Sequence, residues 1–370
     1  MGEWAGTVGS GESKTEALLD RVLEQEGRPA LVGYLPLGFP DLERSVEAMM
    51  VLADAGVDII ELGIPHTEPV MDGEKIQEAV TIALEQGTRT GHLFEAVRRL
   101  REHAPHVEVL VMTYWDPIAR YGIDRFAHDL AEAGGAGLIT PDLPLDQADE
   151  WVAASDEHGL DRVFLVKPSS QPETLTAAAQ LSRGFVYAAS VVGVTGTRDT
   201  IGEQAEELVK NTRAAGSSHV CVGLGVSSGD QAAEVGRWAD GVIIGSALVR
   251  TMLTDEPWQD QMKNLADVAQ DLADGVRRAR PRPDPITTDP SHRSTHTPTR
   301  GRKMASTMSL PGFDEQLYDA LDDKIRAGGE ETPISNAEAE LYRWLVHENP
   351  GRYETFDQVI GLVRDAMPRD

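Results

Sequence analysis

The feature that most constrains the fold is a repeated alternation of short apolar runs with segments of helical periodicity. Eight runs, rich in β-branched residues, have the length of buried strands. They are Ala30–Leu35, Val57–Leu62, Val107–Met112, Gly137–Thr140, Arg162–Val166, Gly184–Ser190, His219–Gly223 and Gly241–Gly245. The intervening segments, such as Asp41–Ala55 and His92–His103, place apolar residues at helical spacing. Eight such units over about 250 residues favour an α/β fold, a closed (β/α)8 TIM barrel, over an open doubly wound sheet.

The barrel accounts for residues 1–280, and the chain changes character beyond them. Ser13–Glu26 is amphipathic and predicts a helix that closes the floor of the barrel. Residues 281–311 are rich in Pro, Thr and Arg with little to bury, which predicts a flexible, disordered linker. Residues 312–370 regain helical periodicity and predict a small all-α domain of unknown role. Its expected helices are Asp314–Arg326, Ala337–His347 and Phe356–Met367.

The charge and composition of the chain exclude several classes of partner. A formal net charge of −27 disfavours binding to nucleic acid or to an anionic membrane surface. Cys221 is the single cysteine and lies in an apolar run, so we expect a small buried side chain and no internal disulfide. The sequence contains no apolar run long enough to cross a membrane and no leader pattern. We therefore expect a soluble, cytoplasmic protein.

Two carboxylates follow one another at the end of the second predicted strand. Glu61 lies in an apolar, β-branched run, where a charged side chain is costly unless it stands at the lip of the strand. Asp72 lies on the Pro- and Gly-containing loop just beyond. A strand end and the loop after it can face one pocket, and carboxyls in different surroundings can take different protonation states. The pattern predicts an acid/base site.

Glycine-bearing segments follow the last three predicted strands and predict a phosphate site. Glycine lets a backbone N–H approach an anion, and a helix N-terminus adds a favourable dipole. In a (β/α)8 barrel the loops after strands seven and eight commonly bind phosphate. The segments are Gly193–Gly196, Gly223–Gly225 and Gly245-Ser246, the last of which opens a predicted helix.

Several motifs, taken in their order and spacing, resemble one enzyme family. They are Leu37-Gly38-Phe39-Pro40, Glu61-Leu62-Gly63-Ile64-Pro65, Asp72-Gly73, Met112-Thr113-Tyr114, Pro141-Asp142-Leu143-Pro144, Gly193-Val194-Thr195-Gly196, Gly223-Leu224-Gly225 and Gly245-Ser246-Ala247. From about Ser13 to Arg280 the chain closely resembles the alpha subunit of tryptophan synthase, a TIM-barrel lyase. The resemblance implies retro-aldol cleavage of indole-3-glycerol phosphate to indole and glyceraldehyde 3-phosphate in tryptophan biosynthesis. It also implies that no cofactor is needed and that a beta subunit is the partner, in an alpha2beta2 heterotetramer.

The resemblance also assigns roles to individual residues. It implies that Glu61 is the general acid/base at ring carbon C3 and at the glycerol hydroxyl, and that Asp72 accepts the indole N–H. Tyr187 is implied to line the site beside Glu61. The resemblance implies an apolar slot for the indole ring, lined by Tyr34, Met112, Tyr114, Ile139, Leu165 and Leu224. It also implies a loop that closes over this slot at Thr195. The phosphate is implied to bind at Gly196, Gly225, Gly245 and Ser246.

We expect no metal site near these carboxyls. His66 is the nearest histidine, and it has no second His or Cys at a ligand spacing. Asp142, between two prolines, is interpreted as a residue that orders its loop rather than as a catalyst.

The chain departs from the family pattern in the loop after Glu61, where His66 replaces an aromatic residue, and near Tyr114, where Asp116 replaces an asparagine. In the family these segments contact the beta subunit. Two alternatives therefore stay open beside an ordinary alpha subunit. One is a stand-alone lyase that releases free indole for secondary metabolism. The other is a non-catalytic barrel that binds a partner, against which the retention of Glu61 and Asp72 argues.

Overall fold

The predicted barrel is present in the computed structural model, which describes residues 12–67, 69, 72–189 and 198–279. Eight parallel strands follow one another in chain order around a closed barrel. They are β1 Ala30–Pro36, β2 Ile59–Gly63, β3 Glu108–Met112, β4 Gly137–Thr140, β5 Asp161–Val166, β6 Val186–Ala189, β7 Val220–Gly223 and β8 Gly241–Ile244. β8 closes the barrel on β1, with Ala30 paired to Gly241 and Gly33 to Ile244. The prediction of a (β/α)8 fold is confirmed.

Helices surround the barrel. They are α1 Lys14–Glu26, α2 Leu42–Asp54, α3 Glu74–Glu85, α4 His92–His103, α5 Trp115–Tyr121, α6 Ile123–Glu132, α7 Asp149–Glu157, α8 Pro172–Leu181, α9 Arg198–Ala214, α10 Gly229–Val235, α11 Ser246–Arg250 and α12 Trp258–Arg278. Three of them, α1, α2 and α4, begin and end within one residue of the bounds predicted from the sequence. A 3₁₀ turn, Leu145–Gln147, precedes α7. The sequence pattern does not predict α3, α5 or α12.

Two apolar cores hold the fold together. A large outer core lies between the strands and the surrounding helices and includes Leu35, Ile60 and Leu272. A smaller inner core fills the barrel, with Val32 and Ile59 among its buried members. Because side chains alternate along a strand, Ile59 and Ile60 belong to different cores.

The floor of the barrel is closed by α1, as the sequence predicts. Leu18, Leu19 and Val22 of α1 are buried in the inner core. Ser13 caps the helix, since its hydroxyl accepts from the backbone N–H of Glu16 at 3.0 Å. The carboxylate of Asp161 at the start of β5 accepts from the N–H of Thr15 at 2.8 Å, which ties the helix to the strand ends.

The acids at the N-terminal ends of the strands, of which Asp161 and Asp240 are buried and Asp58 is partly exposed, are paired. Asp58 binds the guanidinium of Arg28 at 2.7 Å and also accepts from a backbone N–H at 2.8 Å. Asp240 binds Arg213 at 2.9 Å, and Asp161 lies 3.5 Å from Arg183. The charges at this end of the barrel are compensated by partners, which indicates a structural role for these residues.

The remaining predictions about the chain are met only in part by the described residues. Cys221 is fully buried, as expected. No helix in the described ranges has both the length and the apolar character that a membrane span requires. The predicted linker 281–311 and helical domain 312–370 lie outside the described residues, and both stay predictions.

Candidate active site

Glu61 lies near the C-terminal end of β2, and its carboxyl is isolated inside the barrel. Alternation along the strand places it on the same side as Ile59, in the inner core. The residue is fully buried, and neither carboxyl oxygen has a hydrogen-bond partner among the residues that the structure describes. Burial raises the pKa of Glu61 from 4.5 to about 8. At neutral pH the side chain is therefore mostly a neutral acid that can donate a proton.

Asp72 lies on the loop between β2 and α3 in a more polar setting. Its backbone N–H donates to the carbonyl of Pro69 at 3.0 Å, and its carbonyl accepts from the Gln77 side chain of α3 at 2.7 Å. Burial raises the pKa of the Asp72 carboxyl to about 6, and nearby His66 opposes this rise. Asp72 is therefore mostly ionised at neutral pH, whereas Glu61 is mostly protonated.

Both carboxyls face the same two phenols, which stand on opposite sides of the barrel. Tyr34 lies on β1 and Tyr187 on β6, and Tyr34 is directly paired in register with Glu61. Burial raises the pKa of Tyr34 well above 10, and the charges of Asp72 and then Glu61 raise it further. Burial does the same for Tyr187, with Glu61 and then Asp72 as the further causes. The structure therefore brings these four side chains together at the C-terminal mouth of the barrel.

Most of the residues implied to form the indole slot lie beside these groups. Ile139 is fully buried in the inner core, and Met112, Leu165 and Tyr187 pack on that core while partly exposed. Tyr114, just after β3, is nearly buried. Leu224, just after β7, instead packs partly buried against the outer core. The mouth is thus walled by apolar and aromatic side chains on several strands.

The segments implied to bind phosphate lie at the ends of β7 and β8. Gly225 has a φ of 65°, a conformation that favours glycine. Gly245 comes directly before α11, so Ser246 is the first residue of that helix. A Cβ placed on Gly73 would lie 3.6 Å from the Ser246 hydroxyl oxygen, so this end of the barrel meets the Asp72 loop. Thr195 and Gly196 lie outside the described residues.

Two features of the mouth are missed by the sequence analysis. His66 stacks on Tyr114, with ring centroids 4.8 Å apart and the planes inclined by 22°. This contact joins the loops after β2 and β3, and no sequence pattern predicts it. The Tyr34 hydroxyl lies over the backbone of Gly63, where a Cβ would overlap it. The pairing of neighbouring strands creates this seat, which has no sequence signal of its own.

Asp142 orders the mouth, as the sequence analysis expects. Its carboxylate accepts from the backbone N–H of Trp115 at 2.9 Å and thereby links the loop after β4 to the start of α5. Burial raises the pKa of this carboxyl, while the Trp115 N–H opposes the rise.

A group of side chains with metal-ligand chemistry lies elsewhere on the barrel. Within the described ranges, Asp124, Glu157 and His158 place ligand atoms within 4.8 Å of one another. The two acids are exposed, and the group is held by a 3.0 Å hydrogen bond between His158 and Asp124 on α6. It is a contact between the first turn of α6 and the end of α7.

Comparisons with known proteins agree with this geometry. A family model described as tryptophan synthase alpha chain matches residues 21–277. The alpha chain of Bifidobacterium longum is 49% identical over 273 residues, which cover 72% of this chain and 93% of the relative. That of Mycobacterium marinum is 52% identical over 253 residues, covering 68% and 91%.

Solved structures show the same likeness. A crystal structure of tryptophan synthase from M. tuberculosis contains a chain that is 48% identical, with a TM-score of 0.66. The match covers 72% of this chain and 99% of that one. Fold, mouth and relatives therefore agree: the chain belongs to the tryptophan synthase alpha chain family, carbon–carbon lyases that cleave indole-3-glycerol phosphate to indole and glyceraldehyde 3-phosphate in tryptophan biosynthesis.

Proposed function

We propose that Glu61 and Asp72 carry out this cleavage as an acid/base pair and that the ends of β7 and β8 hold the substrate phosphate. The observation that carries the proposal is the isolated carboxyl of Glu61. It is fully buried at the mouth, has no hydrogen-bond partner among the described residues and has a pKa of about 8. A group kept neutral in this way is poised to give up a proton at neutral pH.

The reaction begins with transfer of the Glu61 proton to ring carbon C3 of the indole. This step leaves a carboxylate at Glu61 and a positively charged indolenine nitrogen. The bond between C3 and the glycerol chain then breaks, and its electron pair returns to the ring. As it breaks, Glu61 takes the proton from the glycerol hydroxyl, whose carbon becomes the aldehyde of glyceraldehyde 3-phosphate. Glu61 ends the cycle protonated, so one carboxyl serves as acid and then as base.

Asp72 supplies the negative charge that the intermediate needs. It is mostly ionised at neutral pH, and it accepts the N–H of the ring as positive charge develops there. Since the transition state carries more charge at nitrogen than the substrate does, this interaction accelerates the reaction rather than only tightening binding. Tyr187, which faces both carboxyls, lines the site beside Glu61.

The phosphate is assigned to the backbone amides of Gly196, Gly225 and Gly245 and to Ser246. Support comes from the positive φ of Gly225 and from the position of Ser246 at the start of α11. The approach of Gly73 to Ser246 supports a cradle beside the Asp72 loop. Tyr34, Met112, Tyr114, Ile139, Leu165 and Leu224 are assigned to the walls of the indole slot, and Thr195 to the loop that closes it.

Alpha chains of this family work with a beta subunit in an alpha2beta2 complex, and we propose the same partner here. The comparisons do not favour a stand-alone lyase or a non-catalytic barrel, because the relatives named above are tryptophan synthase alpha chains. We place the enzyme in the cytoplasm as part of this proposal, in keeping with a biosynthetic family.

The test is indole release from indole-3-glycerol phosphate by the full chain, measured with and without purified beta subunit. We expect weak turnover alone and strong stimulation by the partner. Glu61→Gln should remove turnover and leave the affinity for a substrate analogue nearly unchanged, since the phosphate cradle is intact. Glu108→Gln, at the opposite end of the neighbouring strand β3, is the matched control and should keep activity. Full activity of Glu61→Gln would refute the assignment, and strong turnover without a partner would favour the stand-alone alternative.

A further inference from the structure

The main chain at Asp72 is held by hydrogen bonds on both of its sides. Its N–H donates to the carbonyl of Pro69 at 3.0 Å. The side-chain amide of Gln77, on α3, donates to the carbonyl of Asp72 at 2.7 Å and to that of Pro69 at 3.2 Å. Both bonds come from Nε2, so each of its two hydrogens has a main-chain acceptor. Gln77 therefore ties residue 69 to residue 72 and joins both to the helix that follows.

The first turn of α3, which carries Gln77, packs against the end of β8. The backbone N–H of Gln77 donates to the carbonyl of Gly73 at 3.0 Å, which fixes the residue in this turn. A Cβ placed on Gly73 would lie 3.6 Å from the Ser246 hydroxyl oxygen, and one placed on Gly245 would lie 3.3 Å from the Ile76 side chain. The same turn thus contacts two of the residues to which the substrate phosphate is assigned.

The two carboxyls differ in how much support they need. Glu61 lies on β2, which is paired with β1 on one side and with β3 on the other. Asp72 lies on a loop, and a single carbon separates its carboxyl from Cα, so the position of the carboxylate follows that of the main chain. The proposed function requires this carboxylate to meet the indole N–H while the phosphate occupies its cradle. A fixed distance between the loop and the cradle is therefore needed, and Gln77 is placed to set it.

We propose that Gln77 is a positioning residue, whose side-chain amide holds Asp72 at the distance from the phosphate cradle that indole-3-glycerol phosphate requires. This inference rests on the proposed function and deepens it. A displacement of about 1 Å at a catalytic group can cost about a hundredfold in rate. Gln77 acts through the main chain of Asp72, and the cradle does not depend on its amide. Its loss should therefore lower kcat much more than it weakens phosphate binding.

Gln77→Met removes the amide and keeps the length of the side chain and its helix propensity. With purified beta subunit present, we expect kcat for indole release to fall about ten- to hundredfold and KM to change by less than about threefold. The Kd of inorganic phosphate, measured by titration, should be unchanged.

Gln261→Met is the matched control. The Gln261 amide also donates to two main-chain carbonyls before a helix, those of Thr254 at 2.9 Å and Glu256 at 2.8 Å, at the start of α12. Because each change removes two hydrogen bonds of the same kind, both variants should have a lower Tm. The control should keep the kcat of the unmodified enzyme. Equal losses of kcat in the two variants would overturn the positioning role, because they would reflect stability alone.

Amide exchange, followed by NMR, separates this inference from the proposed function because it needs no turnover. The Asp72 N–H should exchange with solvent faster in Gln77→Met than in the unmodified enzyme, since its acceptor at Pro69 is no longer held. The amide of Val222, on β7, should be unaffected. Faster exchange at Asp72, with no indole released by the unmodified enzyme, would support the tie and refute the proposed function. Normal kcat in Gln77→Met would overturn the role of Gln77 and leave the lyase assignment intact.

Discussion

The isolation of Glu61 predicts that replacing its carboxyl with an amide stabilises the fold at neutral pH while it abolishes catalysis. The pKa of this carboxyl is raised by burial from 4.5 to about 8, so the folded protein holds the proton more tightly than the unfolded chain does. The stabilisation due to this proton is fully present below about pH 4.5 and is lost as pH rises through about 8. Gln has a similar shape and does not titrate, so the Glu61→Gln variant does not lose this stabilisation as pH rises.

The size of the effect follows from the same two values. Near pH 7 the unfolded carboxyl is almost fully ionised and the folded one almost fully protonated, which costs the unmodified enzyme about 3 kcal/mol. The difference between the variant and the unmodified enzyme should grow from about 1 kcal/mol near pH 5 to about 4 kcal/mol near pH 8. For a barrel of this size, about 3 kcal/mol corresponds to a rise in Tm of roughly 6–12 °C.

Urea unfolding of both proteins between pH 5 and pH 8, with calorimetry at pH 7, measures this difference. The exposed exchange Glu85→Gln on α3 is the control and should show no comparable dependence on pH. A difference that stays flat with pH would refute the reasoning, because it would mean that Glu61 is ionised and solvated in the folded state. Loss of stability in Glu61→Gln would refute it as well, because it would show that the carboxylate has a stabilising partner.

Three further predictions address the cradle, the floor and the tail. Ser246→Asp should raise KM for indole-3-glycerol phosphate at least tenfold, because it places a negative charge where we propose that the substrate phosphate binds; an unchanged KM in steady-state assays would remove Ser246 from the cradle. Asp161→Ala should destabilise the fold by about 3 kcal/mol, because the Thr15 N–H and Arg183 lose a buried acceptor, and calorimetry should show the lower Tm with kcat retained at low temperature. A chain without residues 281–370 should keep a single cooperative thermal transition, since the described core ends within α12; loss of that transition would show that the tail contributes to the core.

The barrel could be predicted from the sequence because most strands are short apolar runs, and β1, β2, β4 and β8 are buried along their whole length. The helices that were missed lack such a clear pattern or stand outside the repeat. α3 buries only Ala79, Val80 and Ala83, and small side chains give a weak apolar period. α5 is seven residues long and has Pro117 in its first turn, where proline is tolerated but usually suggests a turn. α12 has a strong apolar pattern, but it follows a β/α repeat that is already complete.

The candidate site was predictable as far as it depends on residues near one another in sequence. Glu61 and Asp72 are separated by one strand end and one loop, so their convergence follows from chain geometry. The seat of the Tyr34 hydroxyl on Gly63 depends on the register of β1 against β2. The stacking of His66 on Tyr114 depends on how two loops meet. These contacts arise from tertiary packing, and a local pattern does not encode them.

Acids at the two ends of the barrel have opposite surroundings. This contrast distinguishes structural residues from the proposed catalytic one. Asp58, Asp161 and Asp240 at the N-terminal ends each have a cationic partner and backbone donors. Such pairs tolerate burial because their charges are compensated. Glu61, at the other end, is as deeply buried as Asp161 and has no partner within the described residues, so it destabilises the fold at neutral pH. Packing alone would favour an apolar residue at position 61, so the buried acid supports the proposed proton transfer from Glu61 to the substrate.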